Sequence, residues 1–292
     1  MFEGVYVAIP TPFREGEVDK EALKEHVEFL IEKGVDGIVP CGTTGESATL
    51  SYQEHEEVIA LTIEQAKGRV KVIAGTGSNS TKEAIELTRF AYQAGADGAL
   101  LITPYYNKPN QEGLYLHFKA IAEAVPIPIV LYNVPGRTGV NMLPETVARL
   151  AEIENVVAIK EATGSTNVAT EIVNLCGDKI ELLSGDDLTY FPLLTVGAKG
   201  VISVTANVVP DKVVEMTKAF FDGNCKRASE LHRELYPLSK VLFIDTNPIP
   251  VKTALSFMGR MEKEFRLPLC PTTKEKEEKI REVLKEFGVI DE

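Results

Sequence analysis

Eight short apolar runs recur along the chain, each followed by a helix-like segment. They are VYVAI from residue 5, GIVPC from 37, VKVIAG from 70, GALLIT from 98, IPIVLY from 127, VVAIK from 156, IELLS from 180 and GVISV from 200. The runs are apolar nearly throughout rather than alternating, the pattern of parallel strands covered on both faces. Helix starts are signalled by Asp19 before KEALKEHVEFL, by Ser51 with Glu54 and by Ser80 with Glu83, the two serine pairs matching a capping box. GVDG, GADG and GAKG, at 34 to 37, 95 to 98 and 197 to 200, each stop a helix with a glycine just past its end and lead into the next strand.

Eight strand-then-helix units predict an α/β fold, a closed (β/α)₈ TIM barrel. An open doubly wound sheet would also alternate. Against it, no G-x-G-x-x-G follows the first run, and no G-x-x-x-x-G-K-[ST] phosphate loop occurs. After about residue 224 the alternation gives way to helical segments at 224 to 243, 248 to 259 and 272 to 287. The last carries an apolar stripe of Ile280, Val283, Leu284 and Phe287 on a densely charged helix. The expected organisation is a barrel domain over 1 to 223 and a C-terminal helical extension over 224 to 292, without a flexible linker.

Composition narrows the function classes. Hydrophobic residues are 44% and charged residues 25% of the 292, as in ordinary globular proteins. The formal net charge of −12, with no block of Lys and Arg, predicts no nucleic-acid partner. No apolar run approaches the roughly 20 residues of a membrane span, and MFEGVYVAIPTPF lacks a basic segment followed by a long apolar one. A cytoplasmic protein with no membrane partner is the expectation. Cys41, Cys176, Cys225 and Cys270 form no C-x-x-C pair, which predicts reduced structural thiols, with a disulfide the minority reading in a cytosolic setting.

In a barrel of this kind the loops after the strands build the active site, so the residues just past each run are where chemistry is sought. Lys160 closes VVAIK. Desolvation there disfavours the charged amine and leaves a neutral nucleophile for a carbonyl; the plainer reading is a lysine that snorkels to solvent or pairs with Glu161. Adjacent strand residues face opposite ways, so Glu161 is poorly placed as its partner. Tyr132 closes IPIVLY and can relay protons, or simply cap the core with its hydroxyl in water. Thr43 and Thr44 lie between glycines after GIVPC, in a turn that offers hydroxyls and backbone N–H groups, and Tyr105 and Tyr106 follow GALLIT, expected to point to opposite sides if the chain is extended there. Arg137, in a Pro and Gly turn, is a fixed cation able to grip a carboxylate bidentately, or a surface arginine. His26, His55, His117 and His232 fall within predicted helices without ligand spacing, so no metal site is expected. Of Asp186 and Asp187, one is expected to cap the next helix.

Together, GTTGESATL, TPYYNKP, YNVPGRTG, IKEATG, LLSGDD, GVISVTAN and NPIPVKTAL, in this order and spacing, resemble the dihydrodipicolinate synthase family over most of the chain. The resemblance implies a (β/α)₈ homotetramer, a dimer of dimers, that condenses pyruvate with aspartate-4-semialdehyde in the diaminopimelate route of lysine biosynthesis, with neither metal nor organic cofactor. By that likeness Lys160 forms the Schiff base, and Tyr132, Thr43 and Tyr106 form a proton relay, Tyr106 reaching in from a neighbouring subunit. Thr44 binds the pyruvate carboxylate, Arg137 the carboxylate of the semialdehyde, and Gly185 and Ile202 shape the pocket. His55, Asn79, Glu83 and Tyr105 resemble an allosteric lysine site, while Tyr52 stands where some lysine-sensitive members have histidine. N-acetylneuraminate lyase or a 2-keto-3-deoxy sugar-acid aldolase shares the Schiff-base lysine, but Arg137 favours an acceptor that bears a carboxylate. A catalytically inactive barrel used for binding or assembly would not require Lys160, Tyr132, Thr43 and Tyr106 together.

Overall fold

The computed structural model describes residues 1–291. In chain order the elements are β1 (Gly4–Ala8), β2 (Phe13–Arg14), β3 (Glu17–Val18), α1 (Lys20–Glu32), β4 (Gly37–Val39), α2 (Tyr52–Ala66), β5 (Lys71–Gly75), α3 (Thr81–Ala94), β6 (Gly98–Ile102) and α4 (Gln111–Ala124). They continue with β7 (Ile129–Asn133), α5 (Pro135–Thr138), α6 (Pro144–Leu150), β8 (Val156–Glu161), α7 (Thr166–Cys176), β9 (Glu181–Ser184), α8 (Tyr190–Thr195) and β10 (Gly200–Ser203). Helices α9 (Pro210–Phe221), α10 (Cys225–Val241), α11 (Ile249–Phe257) and α12 (Lys274–Glu286) follow. Strands β1 and β4 to β10 close into a barrel in the order β1-β10-β9-β8-β7-β6-β5-β4, and β2 pairs with β3 in a separate hairpin. The fold is a (β/α)₈ TIM barrel, as the eight runs predict. The Phe13–Val18 hairpin escapes a reading by apolar runs because each of its strands is two residues long.

The chain packs as two compact units, Met1–Gly4 with Lys71–Ile202, and Val5–Val70 with the residues from Ser203 on. In the first unit, one apolar layer joins strand residues Leu101, Leu131, Ile159 and Leu182 to Phe118, Ile121, Val147 and Ile172 from the helices. Leu131 and Ile159 are register partners on β7 and β8. Successive side chains on a strand alternate in direction, so their successors Tyr132 and Lys160 turn to the other side of the sheet. In the second unit, α12 buries Ile280 and Leu284 of the expected stripe, while Val283 and Phe287 are half-buried at its margin.

Local signals act largely as read. Asp19 accepts from the backbone N–H of Ala22, and Ser51 with Glu54 forms a complete capping box. The Ser80–Glu83 pair is only half of one: Ser80 accepts from the Glu83 backbone, but the Glu83 carboxylate takes the Ser78 hydroxyl at 2.8 Å. The Ser80 backbone N–H then goes to Ser78 Oγ at 3.1 Å, so the serine two residues earlier replaces the return bond. Gly34, Gly95 and Gly197 have φ of 80°, 93° and 113°, the left-handed backbone that ends a helix. The last glycine of each repeat has another reason in two of the three cases. A Cβ on Gly98 would lie 2.7 Å from the Phe2 ring, and one on Gly200 would collide with the Gly4 carbonyl. Among the described residues, no helix is long and apolar enough to cross a membrane.

Candidate active site

Lys160 and Tyr132 each stand one residue before their strand's end, a residue deeper than the apolar runs imply, because β8 continues to Glu161 and β7 to Asn133. They are direct register partners. The Lys160 ammonium lies 4.4 Å from the centre of the Tyr132 ring, and both residues are 6% exposed.

Glu161 does not answer the Lys160 charge. It is fully buried, its Oε1 accepts from Thr163 N at 2.6 Å and its Oε2 accepts from Asn133 Nδ2 at 3.2 Å. Burial pushes this carboxyl above the usual range, and the Thr163 and Asn133 donors pull it back down. Gly185, just past β9, gives Lys160 its space. A Cβ there would lie 2.7 Å from Ala162 Cβ and 3.0 Å from both Cγ and Cε of Lys160. Ile202 on β10 is buried.

Arg137 is exposed on the four-residue helix α5, which begins at Pro135 and ends against Gly139 in left-handed backbone with φ of 71°. Tyr106 is 90% exposed, with a φ of 71° that is uncommon for a residue with a side chain, whereas Tyr105 is 39% exposed. In the same unit, Asn79 Nδ2 donates to the Tyr105 carbonyl at 3.1 Å, and Glu83 is engaged by Ser78 as described above.

In the second unit, the turn after β4 carries Thr43 and Thr44. Gly45 N donates to Gly42 O at 3.1 Å and Glu46 N to Thr43 O at 3.2 Å, while Cys41 and Glu46 adopt φ of 56° and 51°. Thr44 Oγ1 accepts from Asn247 Nδ2 at 3.0 Å, and Thr11 Oγ1 donates to Gly45 O at 2.6 Å. Beneath the turn, Lys252 Nζ donates to Glu46 Oε1 at 2.6 Å, an ion pair whose two side chains are completely buried. The Lys252 ammonium also lies 4.2 Å from the Phe13 ring centre. Sequence spacing carries no sign of Lys252, which is 206 residues from Glu46; only its place in NPIPVKTAL hints at it. His55 on α2 is buried and its backbone carbonyl faces Cys41 Sγ at 3.6 Å.

One expectation changes. Neither aspartate of SGDD caps α8, whose N-cap is Thr189 with no side-chain bond. Asp186 instead shapes the turn, accepting from Thr189 Oγ1 at 2.7 Å and from Leu188 N at 3.3 Å. No cluster of three or more His, Cys, Asp or Glu able to hold a metal occurs among the described residues, and all four cysteines are free thiols.

The model of the dihydrodipicolinate synthetase family matches residues 1–287. The chain belongs to that family. It is 61% identical over 290 residues to 4-hydroxy-tetrahydrodipicolinate synthase of Geotalea uraniireducens, covering 99% of this chain and 100% of the relative. The crystal structure of dihydrodipicolinate synthase from Aquifex aeolicus superposes with a TM-score of 0.98 at 53% identity, over 99% of each chain. That of the chloride-inhibited enzyme from Acinetobacter baumannii complexed with pyruvate does so with a TM-score of 0.97 at 48% identity, over 99% and 100% of the two chains. Membership of this family accounts for the order of the strand-end motifs, and it places Lys160 and Tyr132 in a fold whose active site is at the strands' C-terminal ends.

Proposed function

We propose that the chain is a Schiff-base lyase, a 4-hydroxy-tetrahydrodipicolinate synthase that joins pyruvate to L-aspartate-4-semialdehyde. The observation that carries this reading is the buried Lys160 amine over the Tyr132 ring, with the neighbouring Glu161 engaged elsewhere. The names of its relatives support the same activity.

In this reading Lys160 Nζ adds to the ketone carbon of pyruvate, and loss of water leaves an iminium. Removal of a methyl proton gives an enamine, whose terminal carbon attacks the aldehyde carbon of the acceptor. The amine of the acceptor then adds to the iminium carbon and expels Lys160, closing the ring and restoring the enzyme. The iminium nitrogen is the electron sink, so the steps call on no metal or organic cofactor. Tyr132, Thr43 and Tyr106 carry the protons, Thr44 holds the pyruvate carboxylate, Arg137 holds the carboxylate of the acceptor, and Gly185 and Ile202 wall the pocket. An arginine fork suits a carboxylate-bearing aldehyde better than a polyhydroxylated one.

We infer further that the barrel spans 1 to 223 with 224 to 292 as its helical extension, and that the enzyme is a cytoplasmic homotetramer in which Tyr106 enters a neighbouring subunit's site. The outward placement of Tyr106 supports this assembly. His55, Asn79, Glu83 and Tyr105 are the proposed lysine site, with Tyr52, 52% exposed, as its departure from histidine-bearing members. Titrating L-lysine into the assay tests that site, and sedimentation tests the assembly.

The deciding experiment is borohydride trapping. Borohydride with pyruvate, and not borohydride alone, adds a stable mass to the peptide containing Lys160. Labelling at another lysine, or none, overturns the mechanism, and a coupled assay offering sugar aldehydes in place of aspartate semialdehyde separates this activity from that of sugar-acid aldolases.

A further inference from the structure

Asn133 and Glu161 follow Tyr132 and Lys160 by one residue on the same two strands and are themselves register partners. The pleat turns them to the other side of the sheet, the side of Leu131 and Ile159, and both are completely buried there. A buried amide beside a buried carboxylate destabilises the fold unless each polar atom is matched. Here they are matched, and the partners lie at informative places.

Asn133 Nδ2 donates to Glu161 Oε2 at 3.2 Å and to Asn141 Oδ1 at 2.9 Å, and its Oδ1 accepts from Met142 N at 3.0 Å. The chain leaves β7 at Asn133, runs through α5 with Arg137, and returns at Asn141 and Met142. One side chain therefore ties the exit of this loop to its return. Glu161 holds that side chain to β8, next to Lys160. Gln111 on α4 grips the returning segment of the loop and the start of α6, donating from Nε2 to Asn141 O at 2.8 Å and accepting at Oε1 from Leu143 N at 3.1 Å and Thr146 Oγ1 at 2.6 Å.

We propose that Asn133, braced by Glu161, is a positioning residue for the acceptor site, stapling the base of the Arg137 loop to the strand pair that carries Tyr132 and Lys160. The proposal rests on Arg137 as the ligand of the acceptor carboxylate. Arg137 is exposed on a single helical turn, so its aim depends on how the loop is anchored, and a loop held in its binding conformation loses less entropy on binding. Asparagine suits the task because it offers donors and an acceptor on one short side chain. Aspartate would turn an acceptor toward the Glu161 carboxylate, and leucine would remove the donor to Glu161 Oε2 and the acceptor for Met142 N.

The test compares Asn133→Ala, Asn141→Ala and Arg137→Ala in the full-length enzyme, measuring borohydride trapping of pyruvate and the KM for aspartate semialdehyde. Asn133→Ala raises that KM about tenfold, and Asn141→Ala about threefold, as loss of positioning hydrogen bonds implies. Trapping of pyruvate stays within about twofold in both. The double variant Asn133→Ala with Arg137→Ala has a KM no higher than Arg137→Ala alone, because the two changes remove one interaction. Asn141 is exposed, so its variant carries the test if Asn133→Ala does not fold. An unchanged KM in folded Asn133→Ala or Asn141→Ala, beside a raised one in Arg137→Ala, overturns the staple while leaving the Arg137 reading intact. Trapping that falls in step with turnover overturns it too, since Asn133 would then be a general structural residue. An unchanged KM in Arg137→Ala overturns the carboxylate reading itself.

Discussion

Tyr132 and Lys160 are direct partners on neighbouring strands, with the ammonium 4.4 Å from the phenol ring's centre. The phenol is thereby held beside the amine by backbone register rather than by a flexible loop. Tyr132→Phe keeps the ring and the register and removes only the hydroxyl. It is expected to lower kcat by about a hundredfold or more, as loss of a positioned proton donor does, while the enzyme still folds. A kcat within a few-fold of the parent enzyme would remove Tyr132 from the proton relay.

The space beside Lys160 is as specific as its partner. In Gly185→Ala the new methyl meets Ala162 Cβ at 2.7 Å, which no side-chain rotation relieves, and Lys160 Cγ and Cε at 3.0 Å, so the backbone shifts and the lysine is displaced. Slower trapping of pyruvate at Lys160, together with a lowered melting temperature, is the expected result. Trapping at the parent rate would show that Lys160 needs no such clearance.

The buried pair of Lys252 and Glu46 supports the turn that bears Thr43 and Thr44. Burial lowers the Lys252 pKa, and the charge of Glu46 and its hydrogen bond oppose that shift. Lys252→Met leaves a carboxylate unpaired in the interior and is expected to destabilise the protein by about 3–5 kcal/mol in urea unfolding. Adding Glu46→Gln recovers much of that loss, since the uncompensated charge is gone. If the double variant is no more stable than Lys252→Met, charge pairing is not what the site depends on.

His26 supplies a pH dependence with a definite sign. It is buried, its Nε2 is 2.9 Å from Asn207 Oδ1, and its Nδ1 has no hydrogen-bond partner. Asn207 Nδ2 donates to the Ala8 and Val204 carbonyls, so its oxygen is the acceptor and the imidazole carries its proton on Nε2. Desolvation lowers the pKa from 6.5 to about 4, opposed by the Asn207 bond and aided by the charge of Arg260. The folded-state value lies below the unfolded one, so this contribution is complete above about pH 6.5 and is lost as the pH falls through about 4. Lowering the pH from 7 to 5 therefore costs the parent enzyme about 2 kcal/mol more than it costs His26→Gln. Equal losses in the two proteins would show that His26 is not buried neutral.

Much of this protein is legible in its sequence because the signals are local. Eight apolar runs, an Asp19 cap, a Ser51–Glu54 box and three helix-ending glycines each act within a few residues, which is the range of capping and of left-handed turns. Strand-end motifs point to Lys160, Tyr132, Thr43 and Arg137 as candidates for the same reason, since each lies at or near the C-terminal end of a strand, where barrels of this kind gather their chemistry.

What lies beyond reach along the chain is decided by pairing across it. The match of Tyr132 with Lys160 and of Asn133 with Glu161 follows from β7–β8 register, and the burial of Lys252 against Glu46 joins residues 206 positions apart. Ser78 stands in for the return bond at Ser80, and Asp186 shapes a turn rather than capping α8, because several polar groups two or three residues apart compete for the same bonds and sequence alone does not rank them. Local patterns along the chain set which segments become strands and helices and which residue types gather at the strand ends. Which polar groups of separate strands face each other is settled in the folded protein, because it depends on the register and packing of segments distant in sequence.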